Sequence, residues 1–329
     1  MTNRLSYIDF ASGIMILWMI LFHAIGHAWG SFYPCEKIPF LHFFMPWFFY
    51  KSGQFFKKYT FRELFVKDST KLLKTFAIWS IIGALCYLLV CLLNDSFTYK
   101  SFAQTIIHEF IYLGKIPLNT PLWFLLTLFM VRFVANAVLP DRGGRFAKIK
   151  IASIIVLGYM VSYLIYRYNS YQLPYWIGNG VAGLCFFVLG YAFRDLEKSL
   201  WLILPCVIVY VVGCFIGFPM VDMFPNKLIT GNYLLWIPVS FCCIVCFNAF
   251  CRWLYKYIRL KPIEIVGQNA MTILVTHVLI VKMIVAILGY YNINLASRWE
   301  CCIMLFAYIL ILPIFCWIIN KINLSSTKK

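Results

Sequence analysis

The feature that most constrains this chain is a succession of apolar runs, most of them close to 20 residues long, separated by short connections rich in Lys and Arg. A helix of about 20 residues, rising 1.5 Å per residue, matches the roughly 30 Å hydrocarbon core of a bilayer and satisfies its own backbone hydrogen bonds there. The runs lie near residues 8 to 30, 40 to 56, 75 to 93, 121 to 139, 151 to 167, 175 to 193, 200 to 218, 232 to 251, 264 to 288 and 299 to 320. They predict an all-α, polytopic membrane protein of about ten transmembrane helices. Composition agrees, because soluble domains run at roughly 45–50% apolar and about 25% charged residues, whereas this chain has 63% and 12%. Ten spans with short connections use up 329 residues, so residues 1–329 read as a single integral-membrane domain.

Basic residues set the expected orientation. With alternate connections assigned to two sides, the side holding the N terminus collects 20 Lys and Arg against six on the other. That imbalance predicts both termini in the cytoplasm and an even number of spans. A net charge of +17 raises nucleic-acid binding as a question, but the bases sit in short clusters between apolar runs, where they anchor helices, so no nucleic-acid partner is expected. The first run is longer than the apolar core of a signal peptide and lacks an A-x-A type cleavage site, so it is expected to remain as a helix. The 13 cysteines are scattered, as at Cys242, Cys243 and Cys246, without a CxxC pair near His; packing is their expected role. No three or four ligands converge in the sequence, so no metal is expected.

Small and polar residues inside apolar runs mark helices that are interrupted or that line a cavity, since freed backbone is tolerated in lipid only where protein or water satisfies it. The stretch from Pro174 through Gly178, Gly180 and Gly183 is one such place, and Pro46 within the second run is expected to bend its helix. Residues 101 to 114, SFAQTIIHEFIYLG, are too short and polar to span and read as an interfacial amphipathic helix on the outer side.

Ionisable groups within spans are functional candidates. The first run carries Asp9, His23 and His27. The histidines are four apart and share a helix face, whereas Asp9 precedes His23 by about four turns, roughly 21 Å, so on a regular helix the two do not touch. His23 falls about 22 Å beyond Ile8, in the outer half of the membrane, and a neutral imidazole there suits a general base acting on a hydroxyl. The alternative for both histidines is a hydrogen bond to a neighbouring helix. The second run adds His42 and Lys51, the latter with the alternative of snorkelling to headgroups. Arg132 must pair or snorkel, Asn269 in the run near 264 to 288 is a further cavity candidate, and His277 in the same run reads either as a second cavity histidine or as a packed, hydrogen-bonded one. Between the second and third runs, KKYTFRELFVKDSTKLLK is strongly basic; positive-inside anchoring explains it, as does a grip on the phosphates of an anionic cytosolic donor.

Five phrases together resemble the membrane-bound acyltransferase family 3, in register and along the whole chain: YIDFASGIMILWMILFHA, FFMPWFFYKSGQFFKK, PLWFLLTLF, FFVLGYAFR and VGQNAMTILVTHVLI. That family includes O-acetyltransferases of bacterial lipopolysaccharide, exopolysaccharide, enterobacterial common antigen and peptidoglycan. The resemblance implies ten helices in a bacterial inner membrane. It implies no bound cofactor, with acyl-CoA, most simply acetyl-CoA, as co-substrate, a lipid-linked or surface saccharide as acceptor, and membrane lipids as surroundings. Its histidine 14 residues after the first-helix Asp corresponds to His23, making His23 and Asp9 the catalytic candidates. His27, His42, Lys51, Trp123, Asn269 and His277 are expected on the substrate, and Lys58, Arg62, Lys71 and Lys74 on acyl-CoA. Where the family often has a basic residue three after the Asp, this chain has Ser12. Either direct transfer or an acyl-histidine relay fits. The competing class is a transporter of a glycan or small acid, which should show internal repeats that this sequence does not display convincingly.

Overall fold

The computed structural model describes residues 6–29, 42–141, 144–168, 173–224, 226–290 and 312. The described elements are helical except for one hairpin. In chain order the helices are α1 (Ser6–Trp29), α2 (Phe44–Gln54), α3 (Phe61–Asp68), α4 (Lys74–Leu93), α5 (Tyr99–His108), α6 (Trp123–Val138), α7 (Ala147–Tyr168), α8 (Tyr175–Phe193) and α9 (Leu200–Ile216). An antiparallel hairpin of β1 (Met220–Asp222) and β2 (Lys227–Thr230) follows, then α10 (Tyr233–Tyr257), α11 (Lys261–Gln268) and α12 (Ala270–Tyr290).

Five helical stretches are long and apolar enough to cross a membrane: Phe61–Leu93, Thr120–Val138, Ala147–Tyr168, Tyr175–Phe193 and Tyr233–Tyr257. A sixth is counted if α11 and the start of α12, bent by 84° at their junction, form one broken span. The apolar stretches Tyr7–His23 and Leu200–Ile216 are shorter. Large apolar side chains stand exposed along α4 (Ile81, Leu85), α7 (Leu157, Met160) and α9 (Trp201, Phe215). Such faces are stable against lipid rather than water, and the chain is a multi-pass membrane protein. The tenth expected run, 299 to 320, lies outside the described residues apart from Leu312.

Three expectations change. The stretch after Pro174, expected to be interrupted or crowded with small groups, is crowded but continuous: Pro174 precedes its first turn, and Gly178, Gly180 and Gly183 admit Ile165, Met130 and Phe49 instead of breaking it. Pro46 does not bend a helix, because α2 begins at Phe44 and places the proline in the first turn, where its missing N–H has no carbonyl to serve. The run near 264 to 288 is not one straight span but turns sharply at Asn269. Residues 101 to 114 form α5 and a following π turn ending at Gly114, whose φ of 65° suits glycine; no residue of α5 is buried.

The chain divides into two compact units, Met1–Phe44 with Phe247–Lys329, and Met45–Cys246. In the first, α1 packs against α11 and α12. Gly13 faces the Ile263 carbonyl and Gly267 faces the Asp9 carbonyl, each so closely that a Cβ would collide with backbone. In the second, α6 and α7 pack on α8, and α2 crosses α8 in the same manner, with Gly53 on the Phe187 carbonyl and Gly190 on the Tyr50 carbonyl. Small residues allow such approaches, and dispersion then drives association where lipid removes the hydrophobic term. The five phrases singled out in the sequence are thereby sorted. The first and last meet within one unit, and YKSGQ meets LGY within the other, where Phe124 of the PLWFLLTLF phrase lies 5.0 Å from Phe49 between ring centroids.

Candidate functional site

In the first unit, α1 is an unbroken helix, so the 14 residues from Asp9 to His23 separate them by about 21 Å along its axis. Asp9 lies near the start of α1, buried, with Gln268 Nε2 donating to its Oδ2 at 3.4 Å. Ser12 donates its hydroxyl back to the Ile8 carbonyl at 2.6 Å. His23 is half-buried toward the other end of α1. Its ring lies 5.3 Å, centroid to centroid, from that of His277 on α12, with the planes 44° apart. Phe22 packs beside both His23 (5.4 Å) and Phe44 (5.5 Å). The buried His42 lies two residues before Phe44, its ring 5.6 Å from that of Phe43. His27 continues the backbone of α1, but its side chain lies outside the described residues.

His277 is 1% exposed. Its Nδ1 lies 2.9 Å from the Ile273 carbonyl oxygen and 3.1 Å from that of Leu274. Carbonyl oxygens only accept, so Nδ1 carries the hydrogen and the neutral ring holds its lone pair on Nε2. Among the described residues no hydrogen-bond partner meets that Nε2. Asn269, at the bend before α12, donates from its amide to the Ile265 carbonyl at 2.8 Å while its own carbonyl accepts from Ile273 N–H. The corner between α11 and α12 thus closes its backbone bonds locally, as a broken helix in lipid requires.

The second unit holds the basic candidates. Thr60 and Glu63 form a reciprocal capping box, in which Thr60 N–H donates to Glu63 Oε2 and Glu63 N–H donates to Thr60 Oγ1. This starts α3 and puts Arg62, Lys67, Lys71 and Lys74 on one continuous helical stretch. All four are exposed. Lys58 pairs with Asp141 at 3.5 Å, and Lys67 sits over the Tyr59 ring at 4.2 Å. Lys51 is half-buried with its ammonium 5.3 Å from the centre of the Trp47 ring. Trp123, at the head of α6, is buried with its ring 5.8 Å from Phe224 of the hairpin turn.

Two buried acids escaped the reading of the sequence. Asp68 accepts from Arg132 Nε at 2.7 Å, and Arg132 also donates to the Ser52 hydroxyl at 3.4 Å, so the intramembrane arginine pairs rather than snorkels. Glu197, fully buried after α8, accepts from Tyr50 (3.2 Å) and from Gln54. Glu197 binds the Tyr50 to Gln54 phrase of α2 directly, and Asp68 reaches it through Arg132, which also donates to Ser52. The only signal for them was acidity inside otherwise basic connections, and their partners are 64 residues or more away in sequence.

A family model described as an acyltransferase domain, the acyltransferase family 3 domain, matches residues 5–321. No curated protein and no solved structure matches the chain.

Proposed function

Because the chain belongs to the acyltransferase-3 family, we propose that it is an O-acyltransferase. In this reading it takes an acyl group, most simply acetyl, from cytosolic acyl-CoA and places it on a hydroxyl of a lipid-linked or surface saccharide of the bacterial envelope. Residues 1–329 act as one inner-membrane domain of about ten spans with both termini in the cytoplasm, the orientation that the Lys and Arg imbalance favours. The exposed bases Arg62, Lys71 and Lys74, with Lys58, hold the phosphates of the donor. His42, Lys51, Trp123, Asn269 and His277, with His27, serve the acceptor side.

His23 is the general base. It removes the acceptor proton as the oxygen attacks the thioester carbonyl; the C–S bond then breaks, and the thiolate leaves to be protonated as free coenzyme A. Polar donors at the site stabilise the oxyanion. Asp9, about four turns away on the same helix, supports the base only through the placement of α1. The observation that carries the reading is the acyltransferase match over residues 5–321; the contact of His23 with the buried His277 supports the choice of His23 as the base.

The test is transfer of label from radiolabelled acetyl-CoA into envelope glycan by membranes holding wild-type protein or His23→Ala at matched expression. Loss of label in the variant supports the base assignment, and full labelling overturns it. Absence of labelling by wild type points to a different acyl donor or to transport of an already acylated molecule.

A further inference from the structure

We propose that His277 is the positioning residue of His23, accepting the ring N–H of His23 on its own Nε2. The inference rests on His23 being the base. Three observations converge on it. The two carbonyls of Ile273 and Leu274 fix the hydrogen of His277 on Nδ1. The lone pair left on Nε2 is buried and has no partner among the described residues. The one other imidazole in ring contact with His277 among the described residues is that of His23, at 5.3 Å.

Two imidazoles joined in line by an N–H···N bond of about 2.9 Å have their centroids about 5 Å apart. The observed separation is that of a pair which a turn of the half-exposed His23 ring brings into such a bond. In the bonded pair, one nitrogen of His23 donates to His277 and the other presents its lone pair to the acceptor hydroxyl. When that hydroxyl proton moves to His23, the imidazolium has N–H on both nitrogens, and the donor toward His277 becomes charge-assisted and stronger. His277 keeps its own proton throughout. This is the arrangement in which a second residue fixes tautomer and ring direction of a base, supplied here by a neutral imidazole on a helix whose carbonyls set its polarity.

The experiment uses membrane vesicles containing their own envelope glycan, titrated with radiolabelled acetyl-CoA, with maximal rate per mole of protein and KM measured for wild type, His277→Asn and His277→Gln. The Asn amide reaches the Ile273 and Leu274 carbonyls but ends short of the Nε2 position, whereas the Gln carbonyl reaches it. Expected is a fall in maximal rate of about 10- to 100-fold for His277→Asn, an unchanged KM for acetyl-CoA, and substantial recovery in His277→Gln. A wild-type rate in His277→Asn overturns the proposal. So does an equal loss in both variants accompanied by a lowered melting temperature, which marks a packing role. His23→Ala in the same vesicles separates the two readings: if it transfers label normally, the base assignment fails first, whereas its inactivity beside an active His277→Asn condemns only the partner.

Discussion

The backbone carbonyl of Asp9 lies against Gly267, with no room between them for a methyl group. Gln268, the next residue, donates to the Asp9 carboxylate. Elsewhere on a helix, Gly→Ala stabilises by about 0.5–1 kcal/mol; here the added carbon forces the two backbones apart, an overpacking that costs about 1–3 kcal/mol. Gly267→Ala is therefore expected to lower the melting temperature of the detergent-purified protein. A rise would show that α1 and α11 do not cross at this point.

The Asp68 to Arg132 pair predicts an asymmetry. Asp68 is 2% exposed, so Arg132→Met leaves a carboxylate stranded and is expected to cost about 3–5 kcal/mol, while the double change Asp68→Leu with Arg132→Met removes both charges and is far milder. Thermal unfolding of the three proteins in one detergent measures this. A double variant as unstable as the single one would mean that the pair itself, rather than the orphaned charge, matters.

The proposed grip of the basic stretch on acyl-CoA predicts a graded effect. Arg62→Ala, Lys71→Ala and Lys74→Ala, whose side chains are exposed, should each raise the KM for acetyl-CoA roughly threefold to tenfold, on the order of 1 kcal/mol. The defect should shrink as salt is added, since exposed charges are screened. Lys67→Ala should do less, its ammonium being occupied by the Tyr59 ring. Salt-independent losses in maximal rate would argue against a phosphate grip.

Asp222 in β1 predicts a pH effect outside the spans. Burial pushes its carboxyl above the usual range, against the lowering influence of the Phe224 N–H and of Lys227. The folded state thus holds this proton more tightly than the unfolded chain. Its stabilising contribution is present below the unfolded value, near 3.9, and is lost as pH rises through the folded one. Asp222→Asn keeps an acceptor for Phe224 N–H and removes the ionisation. It should melt higher than wild type at pH 7 and converge with it in acid; a lower melting point at pH 7 would show that the ionised form is the stabilising one.

The apolar runs made most helices legible, because length and hydropathy are local. Corners were less so. Pro46 and Pro174 read as breakers, but a proline in or just before the first turn of a helix removes no bond, and only the true start of the helix reveals which case applies. The turn at Asn269 depends on an amide folding back on the Ile265 carbonyl, which hydropathy does not register. The histidines of the candidate site stand out by their presence in lipid-length runs, while the contact between His23 and His277 needed the packing of α1 on α12. Asp68 and Glu197 stayed hidden among bases because their worth lies in partners distant in sequence, Arg132, Tyr50 and Gln54, that composition does not pair.

Asp9 and Gln268 are 259 positions apart, and the order of synthesis gives that distance a duration. At roughly 5–20 residues per second on the ribosome, α1 waits on the order of 13–50 s before the stretch that carries Gly267 exists. For that interval a carboxylate and a strip of bare backbone beside Gly13 are open to whatever else is in the bilayer. The face of α1 that meets α11 is thus made long before its cover, and a helper that shelters α1 during insertion would act in that interval.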